Sequence, residues 1–200
     1  MRLPIVVFAC VVLLSRAAAA QREDRRGFIG LGIGPAQPIG PFASASGTNP
    51  REGRAFPGYT DTMLNIAYRR GQHFGIAGFF SYSEYVMRNG GNDDWWQVAT
   101  LSVGPMYSYP LGAKASLDLK GTAGFVALTP VIDNYTTSDE TGSGLLIDVR
   151  AAIRYDVFRR WAIFADGGLQ AANVSYPASG AATDVRALVS GIGIAFRPKW

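Results

Sequence analysis

Between about residue 60 and residue 197 the chain alternates apolar and polar side chains with a period of two, in stretches of roughly ten residues. A helix repeats its faces about every 3.6 residues and cannot use that pattern. A strand can, because successive side chains point to opposite faces. Gly27–Gly34 opens the series, with Ile29, Leu31 and Ile33 on one edge and Gly30, Gly32 and Gly34 on the other. Further strands are expected at about 60–69, 73–86, 95–109, 115–128, 145–157, 161–172 and 185–197, eight in all. Three connections are tight, at 70–72, 110–113 and 158–160, and four are longer and polar, at 35–58, 87–94, 129–144 and 173–184. Short and long alternate strictly, so hairpins joined this way put every short turn at one rim and every long loop at the other. The 24 glycines and 12% aromatic content suit such a turn-rich sheet protein.

Periodicity alone does not say which edge faces outward. A soluble lipocalin-like barrel would turn its apolar edge inward around an oily ligand, whereas a membrane barrel would turn it toward acyl chains. Four features favour the second arrangement. In-phase aromatics gather beside the short turns: Tyr68, Phe74, Tyr107, Tyr109, Tyr155, Trp161 and Phe196. Around one rim these make an interfacial girdle. The strands exceed the usual five or six residues of soluble sheets and reach the length of about 9–11 needed to cross hydrocarbon at a tilt. The apolar edges carry no Asp, Glu or Lys between their girdles. The last strand closes on Ile192-x-Ile194-x-Phe196, which is similar to the signal that outer-membrane assembly machinery reads.

The N-terminus adds a targeting expectation. Arg2, the apolar run from Leu3 to Leu14 and the small residues Ala18-Ala19-Ala20 fit a signal peptide over 1–20. A charged leader then covers 21–26, and the barrel domain spans 27–200. The single cysteine, Cys10, lies in the signal segment, so the mature chain has no disulfide and no thiol chemistry. Removing Arg2 and Arg16 takes the 19 basic residues to 17 against 15 acidic. Those charges are dispersed, which argues against a nucleic-acid footprint.

The segments Gly27-Phe-Ile-Gly-Leu-Gly-Ile-Gly34, Tyr68-Arg-Arg-Gly-Gln-His-Phe-Gly75 and Gly191 to Phe196 resemble small outer-membrane β-barrel proteins of the OmpA/OmpX type, an outer-membrane protein β-barrel domain. The resemblance implies an all-β, eight-stranded, antiparallel up-and-down transmembrane barrel in the bacterial outer membrane. It also implies contact with outer-membrane lipid and lipopolysaccharide, insertion by the barrel-assembly machinery, and a monomer.

One charge constellation lies on the edge expected to face inward: Asp118, Lys120, Asp148, Arg150, Arg154, Asp156 and Asp166. Eight strands enclose a space just wide enough for side chains, so a structural ion-pair network is favoured over a conduction path or a catalytic carboxylate pair. Small barrels that process lipid A resemble one another in using a His, a Ser and a carboxylate near the outer-leaflet end. Here the only histidine, His73, sits beside a short turn at the opposite rim. The glycine-rich first strand is followed by Pro35, Pro38 and Pro41 rather than by the helix a dinucleotide site requires. No catalytic residue, cofactor or metal site is expected. Specific activity belongs to the long loops, for example to Tyr135 with Asp133, Asp139 and Glu140. The expected role is therefore non-enzymatic, structural or adhesion-like. A soluble apolar-ligand barrel and a narrow pore are the alternatives.

Overall fold

The computed structural model describes residues 26–44, 53–87, 94–132, 135–136 and 141–198. The expected signal peptide, the leader before Arg26, and the loop residues Asp133, Asp139 and Glu140 lie outside these residues. The strands are β1 (Gly27–Pro38), β2 (Gly58–Arg69), β3 (Phe74–Val86), β4 (Trp95–Pro110) and β5 (Ala115–Ile132), followed by β6 (Tyr135–Thr136), β7 (Gly142–Asp156), β8 (Trp161–Ser175) and β9 (Ala182–Phe196). A single 3-10 turn, Gly40–Phe42, follows β1. Every pairing is antiparallel, and β9 returns to β1 from Ile29↔Phe196 through Pro38↔Ala187. Eight strands thus close into an up-and-down barrel, while the two-residue β6 folds back on the end of β5 at Val131↔Thr136. Closure pairs each of the eight long strands on both sides over most of its length, the condition for strands to lie in hydrocarbon.

Several strands run further than their alternation suggests. The loop expected from Pro35 starts later, because β1 continues through Pro35 and Pro38. Both prolines sit where no ladder donor is needed. The β1–β9 register skips from Ile33↔Ile192 to Ala36↔Val189 across Pro35. Beyond Ala36↔Gly58, β2 no longer flanks β1, so the missing N–H of Pro38 has no strand to bond. The expected loop 173–184 shrinks to a hairpin: Tyr176 N–H donates to Ala181 O at 2.9 Å, and Gly180 takes a positive φ of 68°.

The alternation resolves into inside and outside. Leu145, Ile192, Leu101 and Ile33 are 72%, 68%, 62% and 61% exposed, whereas Asp118, Asp148 and Arg150 are 1%, 1% and 3% exposed. Oil is outside and charge is inside. On β7 the outward apolar set runs from Tyr155 to Leu145. Ten residues at about 3.3 Å each, tilted by about 40°, cover about 25 Å, the height of an outer-membrane hydrophobic band. Three carboxylates, Asp61, Glu84 and Asp184, face outward at the long-loop ends of their strands. A register shift between Thr60 and Thr62 turns both Asp61 and Thr62 outward.

The interior is layered. Towards the long loops, Tyr85, Val98, Leu128, Leu146, Val174 and Val185 form an apolar core around Phe42, which is 0% exposed. The 3-10 turn carries Phe42 into the barrel mouth, where its ring meets Tyr85 edge-on at 5.2 Å. Nearer the short turns, Phe28, Met63, Phe79, Met106 and Phe164 form a second apolar cluster. Gly30, Gly32 and Gly193 make room for the Phe164 ring, since a Cβ on Gly30 would come within 2.9 Å of it.

Candidate functional site

Beside the second apolar cluster, at the same height in the bore, lies the charged layer, with Lys120 opposite Met106 and Arg154 opposite Phe164 in the ladders. Strand register brings its members together: Asp118 and Lys120 stand on β5, Asp148, Arg150, Arg154 and Asp156 on β7, and Asp166 on β8. Lys120 directly faces Arg150, an unfavourable like-charge pair by itself. The surrounding groups offset it. Arg150 Nε donates to both oxygens of Asp148, at 2.9 and 3.0 Å, and its Nη1 lies 3.5 Å from Asp166 Oδ2. Gln170 Nε2 donates to Asp148 Oδ2 at 3.1 Å. Arg154 Nη1 lies 3.2 Å from Asp118 Oδ2, and Ser108 Oγ donates to Asp118 Oδ1 at 2.6 Å. Arg69 Nη1 extends this second group by donating to Ser108 Oγ at 3.2 Å.

Lys120 has no hydrogen-bond partner for its Nζ. Its ammonium instead lies 4.9 Å from the Phe79 ring centroid and 5.6 Å from that of Phe28. The Arg150 and Arg154 guanidinium carbons lie 4.7 and 4.4 Å from the same two rings. Two phenylalanines therefore supply π-faces to three buried cations. Asp156 pairs with Arg197 at the short-turn rim. The arrangement can neutralise charge and rigidify the wall; its groups bond one another along β5, β7 and β8, and its cations reach the rings of Phe79 and Phe28 on the facing strands.

The seven aromatic residues beside the short turns share one rim. Six are 36–70% exposed, and Phe196 is half-buried. Phe74 meets Tyr107 edge-on at 5.3 Å, and Trp161 lies 5.2 Å from Phe196. His73 is at this rim too. Its Nδ1 is 3.0 Å from Ser108 O and its ring stacks on Tyr107 at 5.6 Å. Among the described residues no three His, Cys, Asp or Glu side chains converge in a way that could hold a metal ion.

Sequence reasoning missed some members of the layer. Gln170 and Arg69 were in phase with the inward edge and could have been included. Arg197 follows outward Phe196 and is therefore inward by the same rule. Phe28, Phe79 and the mouth-filling Phe42 carry no such signal, because aromatic residues occupy both faces of this barrel.

Neisserial surface protein A (NspA) superposes on this chain with a TM-score of 0.63 at 10% identity, over 86% of this chain and 97% of NspA. Ail, the attachment invasion locus protein of Yersinia pestis, matches with a TM-score of 0.50 at 15% identity, over 86% of this chain and 98% of Ail. This chain has the fold of small eight-stranded outer-membrane β-barrels. The outer-membrane protein AlkL, in lipid bilayers, also matches, with a TM-score of 0.50 at 10% identity, over 88% of this chain and 92% of AlkL. No family pattern and no curated sequence matches the chain, so the shared feature is the barrel and its closure rather than a set of residues.

Proposed function

We propose that this chain is a non-enzymatic barrel of the bacterial outer membrane, exported by its N-terminal signal segment, with a structural or surface-interaction role carried by its long loops. The observation that supports this most is the inverted distribution of polarity. A continuous belt of exposed Leu, Ile, Val and aromatic side chains surrounds a buried charged interior. In water that belt would drive aggregation, whereas in a bilayer it is the required outer face. Ail is named for attachment and invasion and NspA as a surface protein, which favours a loop-borne contact over a transport role.

Cell fractionation with a heat-modifiability gel tests the location. Recovery in the membrane fraction, with a folded form that migrates faster before boiling, is expected. Recovery in the soluble fraction without detergent refutes the reading and favours the lipocalin-like alternative.

A further inference from the structure

The two rims differ in charge. At the short-turn rim Arg26, Arg70, Lys114, Arg159 and Arg160 are exposed, and the described residues there include no exposed acid. The long-loop rim mixes signs, with Arg54 and Arg186 exposed alongside Asp61 and half-buried Glu84 and Asp184. Backbone bonds place the basic residues around the circumference. Arg69 N–H donates to Arg26 O at 2.6 Å, Arg70 N–H to Phe74 O at 2.9 Å, Asp156 N–H to Lys114 O at 2.8 Å, and Arg197 N–H to Arg160 O at 2.8 Å. The ring thus passes from the β7–β8 turn past the end of β9 and the start of β1 to the β2–β3 turn and the β4–β5 turn. It also lies directly against the aromatic girdle: Arg160 adjoins Trp161, and Arg70 lies two residues from Tyr68.

That girdle marks where hydrocarbon gives way to headgroups, and long basic side chains just beyond it reach the phosphates. A zwitterionic headgroup brings its own ammonium, which seeks a carboxylate that the described residues of this rim do not expose. A headgroup with net negative charge has no such requirement. We propose that the short-turn rim is a binding surface for anionic phospholipids, such as phosphatidylglycerol, in the leaflet it faces. This rests on the membrane reading above.

Trp161 reports from within the ring. The barrel carrying Trp95→Phe, Trp96→Phe and Trp200→Phe, folded by the heat-modifiability criterion, is reconstituted in nanodiscs with brominated phosphatidylglycerol or brominated phosphatidylcholine. Trp161 is expected to be quenched at a roughly fivefold lower mole fraction of the anionic lipid. The preference should vanish when Arg70, Lys114, Arg159 and Arg160 are all changed to Gln, and should weaken in high salt. Equal quenching by both lipids overturns the proposal while leaving the membrane reading intact. No quenching by either lipid removes the membrane reading itself. The unmodified chain gives a second measurement: lipid retained after detergent extraction from vesicles with equal amounts of both lipids should be enriched in phosphatidylglycerol, and equal retention overturns the proposal. Pelleting with purified peptidoglycan without any lipid preference also overturns it, in favour of a cell-wall partner.

Discussion

Arg150 ties several parts of the interior together, since it bonds Asp148, reaches Asp166 and lies over Phe79. Arg150→Met leaves two buried carboxylates without their guanidinium and should cost about 3–5 kcal/mol, read as a lower urea midpoint for the refolded barrel. Adding Asp148→Asn should recover part of that loss, because it removes one of the stranded charges; no recovery would show that packing rather than charge dominates. Gly30 acts through volume. A Cβ there would meet the Phe164 ring at 2.9 Å, so Gly30→Ala should destabilise by about 1–3 kcal/mol in the same titration. Phe164→Leu in that background should restore some stability by relieving the overlap. Both arguments depend on side chains from different strands meeting inside the barrel.

Within a single strand, the alternation assigns opposite costs to neighbouring positions. Val149 on β7 faces outward at 56% exposure, between inward Asp148 and Arg150. Six residues from the girdle Tyr155, it stands close to the middle of the apolar band. Val149→Arg should therefore cost about 2–4 kcal/mol of unfolding free energy in a bilayer. Ser143→Arg on the same face, near the long-loop rim, should cost about 0–1 kcal/mol. Equal costs at the two positions would contradict the depth assigned to β7. β1 shows how an element outlasts its propensity. Pro35 and Pro38 stay in the strand because the β9 ladder is interrupted at one and β2 has ended at the other. Propensity read along the chain stops the strand at Gly34, whereas pairing with β9 carries it on to Pro38.

For the barrel as a whole, two independent obstructions lie in series along the bore. Phe42 fills the mouth between Tyr85 and its apolar neighbours, and the paired charges of β5, β7 and β8 cross the middle. Planar-bilayer recordings should therefore show no single-channel steps for the native chain. They should also show none for Phe42→Ala, since the charged layer remains closed beneath it. Steps from the native chain would refute a filled bore; steps from the variant alone would make Phe42 the sole obstruction.

Strand number, hairpin order and the face that most strand residues occupy were legible in the chain, because a period of two is a local property and a one-residue slip would reverse every side chain. The inward positions of Asp118, Asp148 and Arg150 followed from that rule alone. Their inter-strand partners did not: the pairing of Arg150 with Asp166, and of Arg154 with Asp118, depends on the register of β5, β7 and β8. The apolar chamber around Phe42 was likewise invisible, because the residue comes from a Pro-rich loop without periodicity and enters the bore only once the barrel has closed. Asp61 turned outward for a similar reason, since a register shift between paired strands decides its direction. Local sterics set the alternation along each strand; contacts between residues far apart in the chain set what fills the space those strands enclose.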